Sequence, residues 1–312
     1  MSSIVARSLS KSYGSVVAVD GIDLNVRSGS VFGFLGPNGA GKSTTMKLLT
    51  TLIPPTNGAI EILGIDAIKH PLEVRKRIGV VLQQPSYEPN LSVEKSLEKY
   101  GMMWNIDGKT RRDRTEELID VFDLGEIRRR KNEDLSIGQR RRVQVAREFM
   151  HEMDLLFLDE PTVGLDPSAR RRLLDFLKNK ARTGLTIFYT THVLTEAEYL
   201  CDEIAVINRG KILAVDSPDQ LKNTFGQEKT IKIHLTDRHE KLADLVRGIP
   251  GCTVDYETGT DIIIQSRKSE IVLSQILQIL IENNMAVEDL VAMPTTLEEI
   301  FLRMVDQNAP DS

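Results

Sequence analysis

Residues Gly36-Pro37-Asn38-Gly39-Ala40-Gly41-Lys42-Ser43-Thr44 set glycines, a lysine and a hydroxyl at the spacing of a phosphate-binding loop. Such a loop works only between a strand that delivers it and a helix that leaves it, which restricts the chain to α/β architectures. Gly36, Gly39 and Gly41 let backbone N–H groups converge on an anion where side chains would otherwise intrude. Lys42 supplies a mobile cation for β- and γ-phosphates and Ser43 offers a hydroxyl to magnesium. A helix expected from Thr44 onward turns its positive end to the same anion. The flanks agree: Val31, Phe32, Phe34 and Leu35 make a short apolar run suited to a buried strand, and Met46, Leu49 and Leu52 recur at helical spacing.

A second apolar run, Leu155-Leu156-Phe157-Leu158, ends in Asp159, Glu160 and Pro161. Open α/β sheets place their ligands at such strand ends. Asp159 is expected to hold magnesium, through water, and Glu160 to orient and deprotonate the water that attacks the γ-phosphate. Two acids at a strand end are as often a helix cap or a solvated turn. The phosphate loop upstream selects the chemical reading.

With Leu135-Ser136-Ile137-Gly138-Gln139 standing between these two segments, residues 1–220 resemble the ATP-binding subunit of an ATP-binding-cassette (ABC) transporter. Residues 36–44 resemble that family's first nucleotide motif, 155–160 its second, 135–139 its signature and Gly164-Leu165-Asp166-Pro167 its D-loop, with Asp166 among the nucleotide-contacting residues. The resemblance implies that Gln83, after the strand-like residues 78–82, touches magnesium and the attacking water and senses a membrane partner. It implies that His192, after residues 186–191, contacts the γ-phosphate, and that Tyr13 stacks on adenine. It further implies a head-to-tail homodimer in which Ser136, Gly138 and Gln139 of one chain grip the γ-phosphate held by the other, so that ATP closes the dimer and hydrolysis reopens it. The family usually has two glycines in mid-signature; Ile137 replaces the first, and its branched side chain restricts the backbone there. The run Arg140-Arg141-Arg142 reads most simply as the solvated face of the following helix.

The expected fold class is α/β: a P-loop NTPase ABC cassette with a mixed sheet core, an antiparallel β subdomain and a helical subdomain, plus a small α+β ferredoxin-like C-terminal domain. A length of 312 residues allows two domains, placed at 1–220, with the helical subdomain about 90–150, and at 228–312 as a regulatory or dimerisation unit. Residues 93–123 read as mainly helical. Tyr87, Met102, Met103 and Trp104 are candidates to touch a membrane subunit, although an amphipathic core face explains the last three equally well. Residues 216–226 combine turn residues and polarity and mark the boundary. Beyond it, strands at 230–235, 252–256, 261–265 and 286–291 and helices at 240–247 and 269–282 give the order β-α-β-β-α-β, followed by a helix over 295–303 with a threonine cap. That ending resembles the drug-resistance and ABC-2 exporter branch of the family, whose permease is a separate chain.

A net charge of -5 leaves no footprint for nucleic acid, and the basic clusters at 128–131 and 170–172 read as surface. Two cysteines, Cys201 and Cys252, argue against a disulfide framework and suit a reducing compartment. The N-terminus lacks the layout of a signal peptide, and no run approaches the roughly eighteen apolar residues of a membrane span. The expectation is an ATP hydrolase using ATP and Mg2+, peripheral on the cytoplasmic face of the cell membrane, powering a separate permease for export of a drug, lipid or polysaccharide. The alternatives are a soluble ABC ATPase of translation or DNA maintenance and an importer ATPase. A single cassette, with neither a charged linker to a second one nor a long coiled-coil insertion, favours the exporter.

Overall fold

The computed structural model describes residues 1–84, 86–225, 229–237, 242–258, 260–266, 269–294 and 296–306. The chain divides into two compact units, Met1–Ser217 and Pro218–Ser312.

In the first unit, β1 (Ser2–Tyr13), β2 (Val16–Arg27), β4 (Asn57–Ile62) and β5 (Ile65–Asp66) form an antiparallel sheet in the order β2-β1-β4-β5. A mixed sheet lies beside it in the order β10-β9-β3-β8-β7-β6. Its strands are β3 (Val31–Leu35), β6 (Ile78–Val81), β7 (Leu155–Asp159), β8 (Thr186–Thr191), β9 (Glu203–Asn208) and β10 (Lys211–Asp216). All neighbours pair in parallel except β10, which runs against β9. β3, β7 and β8 are buried along their whole length, so their apolar runs are continuous, as strands covered on both faces require. Phe32, Phe34, Phe157 and Phe188 meet at the centre with ring centroids 5.4 to 5.7 Å apart.

Helix α1 (Lys42–Leu49) follows β3 and begins at Lys42, two residues before the expected start, because Gly41 takes the left-handed cap position. The short α2 (Pro71–Arg75) precedes β6. Residues 93–123, expected to be mainly helical, form two helices, α3 (Val93–Met103) and α4 (Gly108–Val121). Asn105 breaks the run at φ 56, and Asp107 then caps α4 by accepting from the amides of Lys109 and Thr110. α5 (Ile137–Glu148), α6 (Pro167–Arg182) and α7 (Leu194–Leu200) complete the unit.

The second unit opens with α8 (Pro218–Phe225), a helix within the turn-rich segment expected to mark the boundary. Pro218 stands at its first position, where a fixed φ and a missing N–H cost nothing. β11 (Lys229–Leu235), α9 (Leu242–Arg247), β12 (Cys252–Glu257), β13 (Asp261–Ser266), α10 (Ser269–Glu282) and β14 (Val287–Pro294) follow. The sheet order β12-β13-β11-β14, antiparallel throughout, is the ferredoxin-like arrangement expected from β-α-β-β-α-β. Residues 240 and 241 of the expected first helix lie outside the described residues. Val272, Ile276 and Leu280 recur every four residues along α10 and join Ile231, Ile233, Ile262 and Ile264 in one core. α11 (Leu297–Asp306) carries its threonine cap at Thr296, whose Oγ1 accepts from Glu299 N at 3.2 Å while Glu299 returns to Thr296 N at 3.0 Å. Thr295, the other threonine available for that cap, is outside the described residues. Among the described residues, no helix is long and apolar enough to cross a membrane.

Candidate functional site

β3, β8, β7 and β6 lie side by side and parallel, so the segments leaving their C-terminal ends emerge at one edge of the sheet. These segments are the phosphate loop after β3, the His192 turn after β8, Asp159 and Glu160 on β7, and Gln83 beyond β6. Gly41, at φ 110, has no room for a side chain either, since a Cβ would sit 2.6 Å from Ala18 O. At Gly36 a Cβ would lie 2.4 Å from Ile207 O. Pro37, Asn38 and Gly39 cross the open side of the loop, Ala40 is buried beneath it, and Thr44 lies half-buried in α1. Lys42 is buried, and its ammonium donates to Gly36 O at 2.6 Å and Pro37 O at 3.1 Å. Burial lowers its pKa, against the opposing pull of the Glu160 and Asp159 carboxylates.

Asp159 is held from two sides. Thr190 Oγ1, on its pairing partner in β8, donates to Oδ1 at 2.5 Å, and Ser43 Oγ donates to Oδ2 at 3.3 Å. The next residue, Glu160, is in the left-handed region at φ 48. That conformation costs a non-glycine residue about 1–2 kcal/mol and persists only where neighbours fix it. Its amide is anchored to Thr190 O at 3.1 Å and Thr190 Oγ1 at 3.2 Å. Its carboxylate accepts from Gln83 Nε2 at 3.2 Å and lies 3.2 Å from His192 Nδ1. The glutamate is buried, whereas Gln83 and His192 are exposed, so one carboxylate edge faces the open side of the site between an amide and an imidazole. The Ser43 hydroxyl and Asp159 carboxylate are hard oxygen donors side by side, the chemistry a magnesium ion takes.

The family model for ABC transporters matches residues 19–163. The daunorubicin resistance ATP-binding protein DrrA3 of Streptomyces coeruleorubidus is 36% identical over 296 residues, covering 94% of this chain and 93% of its own. The linearmycin resistance ATP-binding protein LnrL of Bacillus subtilis is 31% identical over 309 residues, 98% of this chain and 99% of its own. The chain is an ATP-binding protein of the ABC transporter family. Two solved structures agree with this. An ATP-binding subunit of an ABC transporter superposes with a TM-score of 0.67 at 28% identity, over 72% of this chain and 93% of its own. The cassette MJ0796, as a post-hydrolysis dimer with ADP and Pi, superposes with a TM-score of 0.64 at 25% identity, over 69% of this chain and 98% of its own. The protein is therefore a transport ATPase that binds and hydrolyses ATP, in a class whose ATP-binding subunits dimerise and work with a membrane permease.

In this ABC ATPase, Lys42, Ser43, Gln83, Asp159, Glu160 and His192 share one site, while the remaining candidates stand elsewhere. Tyr13 is exposed at the end of β1, with Lys11 Nζ 5.4 Å from its ring centroid. Ser136 and Gln139 form a capping box at the start of α5: Ser136 Oγ accepts from Gln139 N at 3.2 Å, and Gln139 Oε1 from Ser136 N at 3.0 Å. Gly138 presses backbone against backbone on the D-loop, where a Cβ would fall 2.3 Å from Gly164 O. Asp166 caps α6, accepting from Ala169 N at 2.9 Å, and that bond lowers its pKa. Ile137 is exposed.

Two features depart from the sequence reading, and a third decides a choice it left open. Arg141 is buried rather than solvated, and Arg142 donates to Phe122 O at 3.2 Å and Asp123 O at 2.8 Å. The available signal was periodicity, since Arg141, Gln144 and Glu148 fall at i, i+3 and i+7 on the face that also carries the buried Val145. Trp104 stacks on the buried His151 with centroids 3.8 Å apart and planes within 4°, although Tyr87, Met102 and Met103 are exposed as expected. Glu196, unremarked in the sequence, is buried behind the His192 turn and accepts from Tyr189 OH at 2.6 Å, Thr162 Oγ1 at 2.9 Å and Thr191 Oγ1 at 3.1 Å. Thr191 Oγ1 also takes the Val193 amide at 2.9 Å, which pins the backbone on the far side of His192.

Proposed function

We propose that Glu160 is the general base of ATP hydrolysis, with Gln83 and His192 orienting the attacking water and contacting the γ-phosphate. The carrying observation is that both side chains converge on the Glu160 carboxylate from different strand ends. Lys42 binds the β- and γ-phosphates, and the phosphate-loop amides with the N-terminus of α1 hold the remaining negative charge. Ser43, Asp159 and Gln83 are the residues that would hold Mg2+, and the ion would supply positive charge to offset that of the phosphates. Tyr13, exposed at the end of β1, is the adenine-stacking residue. Asp166 contributes at the nucleotide interface between two chains.

The protein acts as a head-to-tail homodimer in which Ser136, Gly138 and Gln139, at the N-terminus of α5, bind the γ-phosphate held by the partner. Residues 1–220 form the ATPase domain, with a helical subdomain over about 90–150, and residues 228–312 a regulatory or dimerisation domain. The dimer docks on the cytoplasmic face of a separate permease and drives export. Similarity along nearly the full length to daunorubicin and linearmycin resistance proteins supports a drug-like cargo.

The test is Glu160→Gln. Its kcat falls by about 10²–10⁴-fold while ATP still binds, and the trapped protein, captured from mildly solubilised native membranes, carries a multi-span permease. Hydrolysis at the parental rate would remove Glu160 from the base role, and capture without a membrane partner would remove the transport coupling proposed for it.

A further inference from the structure

Arg141 touches no group assigned to the chemistry above, yet its guanidinium ends on four backbone carbonyls from two separate segments. Nη1 donates to Leu82 O at 2.7 Å, while Nη2 reaches Glu160 O at 2.9 Å, Asp159 O at 3.1 Å and Gln83 O at 3.4 Å. Gln144 Oε1, one turn further along α5, accepts from Nη1 at 2.9 Å and locks the fork in place. A planar guanidinium can bind divergent acceptors in this way, and an ammonium cannot. The Asp159 and Glu160 carboxylates supply the negative charge that a buried cation needs.

Two facts raise these bonds above packing. Glu160 is left-handed, with its amide bound to Thr190 and its carbonyl to Arg141, so both peptide groups around the strained residue are fixed from outside. The same helix also holds the rest of the segment beyond β6. Gln144 Nε2 donates to Leu82 O at 3.3 Å and Gln84 O at 3.4 Å, and Arg147 donates to Ser86 O at 3.0 Å and Ser86 Oγ at 2.8 Å. That helix is capped by Ser136.

We propose that Arg141 is a positioning residue for hydrolysis: it fixes the backbones of Glu160 and Gln83 so that their side chains meet, and makes that meeting depend on where α5 lies. A ligand drawn to the N-terminus of α5 then acts on the base of the same chain through Arg141. This rests on the reading of Glu160 as base.

The experiment is steady-state hydrolysis and direct ATP binding by the full-length chain carrying Arg141→Met, Arg141→Lys, Glu160→Gln, or Arg141→Met with Glu160→Gln. Arg141→Met lowers kcat by about 10–100-fold, the scale of a reacting group displaced by an ångström, and leaves KM and the ATP Kd within about twofold. Arg141→Lys, which keeps the charge and loses the fork, falls between. In the Glu160→Gln background, Arg141→Met costs less than about twofold, because it acts through the group already removed. Loss of ATP affinity in step with kcat, or multiplication of the two effects, overturns the proposal. If Arg141→Met fails to fold, a folded Arg141→Lys with parental kcat overturns it. A slowed Glu160→Gln beside unaffected Arg141 variants refutes this proposal alone, whereas an unslowed Glu160→Gln refutes the base reading beneath it.

Discussion

In the first unit Lys42, Arg141, Arg147, Glu148, His151, Asp159, Glu160 and Glu196 are buried, whereas among the described residues of the second the buried polar side chains are Thr230 and Ser266. Charges in the second unit sit at its surface, as where His234 pairs with Asp261 at 2.7 Å and Glu288 at 3.4 Å with all three side chains partly exposed. Removing a charge from water is costly unless partners replace the solvent, and the buried ionisable groups of the first unit are met by hydroxyls, carbonyls, side-chain amides, an imidazole or an opposite charge. The first unit thus accepts a stability cost to hold reactive groups in fixed positions. The second is held by aliphatic packing of α10 on its sheet. Buried charge marks where the chemistry is, and its absence marks a unit whose contribution lies in shape and contact.

The contrast predicts that substitutions in the two units fail differently. Lys42→Ala should abolish turnover by about 10³-fold or more, as loss of a desolvated cation at transferring phosphate does, with no change in the unfolding of the second unit by calorimetry. A variant retaining parental hydrolysis would break the comparison at its strongest point. Ile276→Ala empties a fully buried position in the second core. It should cost about 2–5 kcal/mol in the transition belonging to that unit while basal kcat stays parental. A matching loss of kcat would mean that the two units do not divide stability and chemistry between them.

The smallest effect is a pH dependence in the first unit. Burial lowers the pKa of His151 below its ordinary 6.5. The unfolded chain therefore takes up a proton there more readily than the folded one, and the His151 contribution to stability is present above pH 6.5 and lost as pH falls through the folded value. Urea midpoints measured between pH 7 and 5 should decline on acidification, and His151→Gln should flatten that decline. An unchanged slope would show that the ring's burial has no titrating consequence.

The parts of this molecule legible in its sequence are those encoded locally. The phosphate loop is nine consecutive residues, β7 is one apolar run, and the ferredoxin-like unit follows from strand and helix periodicities in order. Other parts are set by contacts across the chain. Arg141 reads as surface because arginine runs usually are, and only the carbonyls of residues 82, 83, 159 and 160 give its donors somewhere to go inside. For Trp104 the sequence leaves docking and an amphipathic core face equally open, and the choice depends on His151, distant in the chain, which supplies a face to stack on. Glu196 had no motif at all, since its three hydroxyl partners come from Thr162, Tyr189 and Thr191. Residues 216–226 combine turn residues with polarity, yet proline and aspartate serve a helix start as readily as a turn, and α8 forms over 218–225.

The contact between Gly138 and Gly164 O leaves no space for even one methyl group. The first turn of α5 and the D-loop therefore fit together like a tongue in its groove, and neither can be rewritten alone. For anyone re-engineering this surface, the smallest editable unit is the pair: a larger residue at 138 demands a new backbone path at 164, and a library that varies only one of the two will sample mostly misfitted loops.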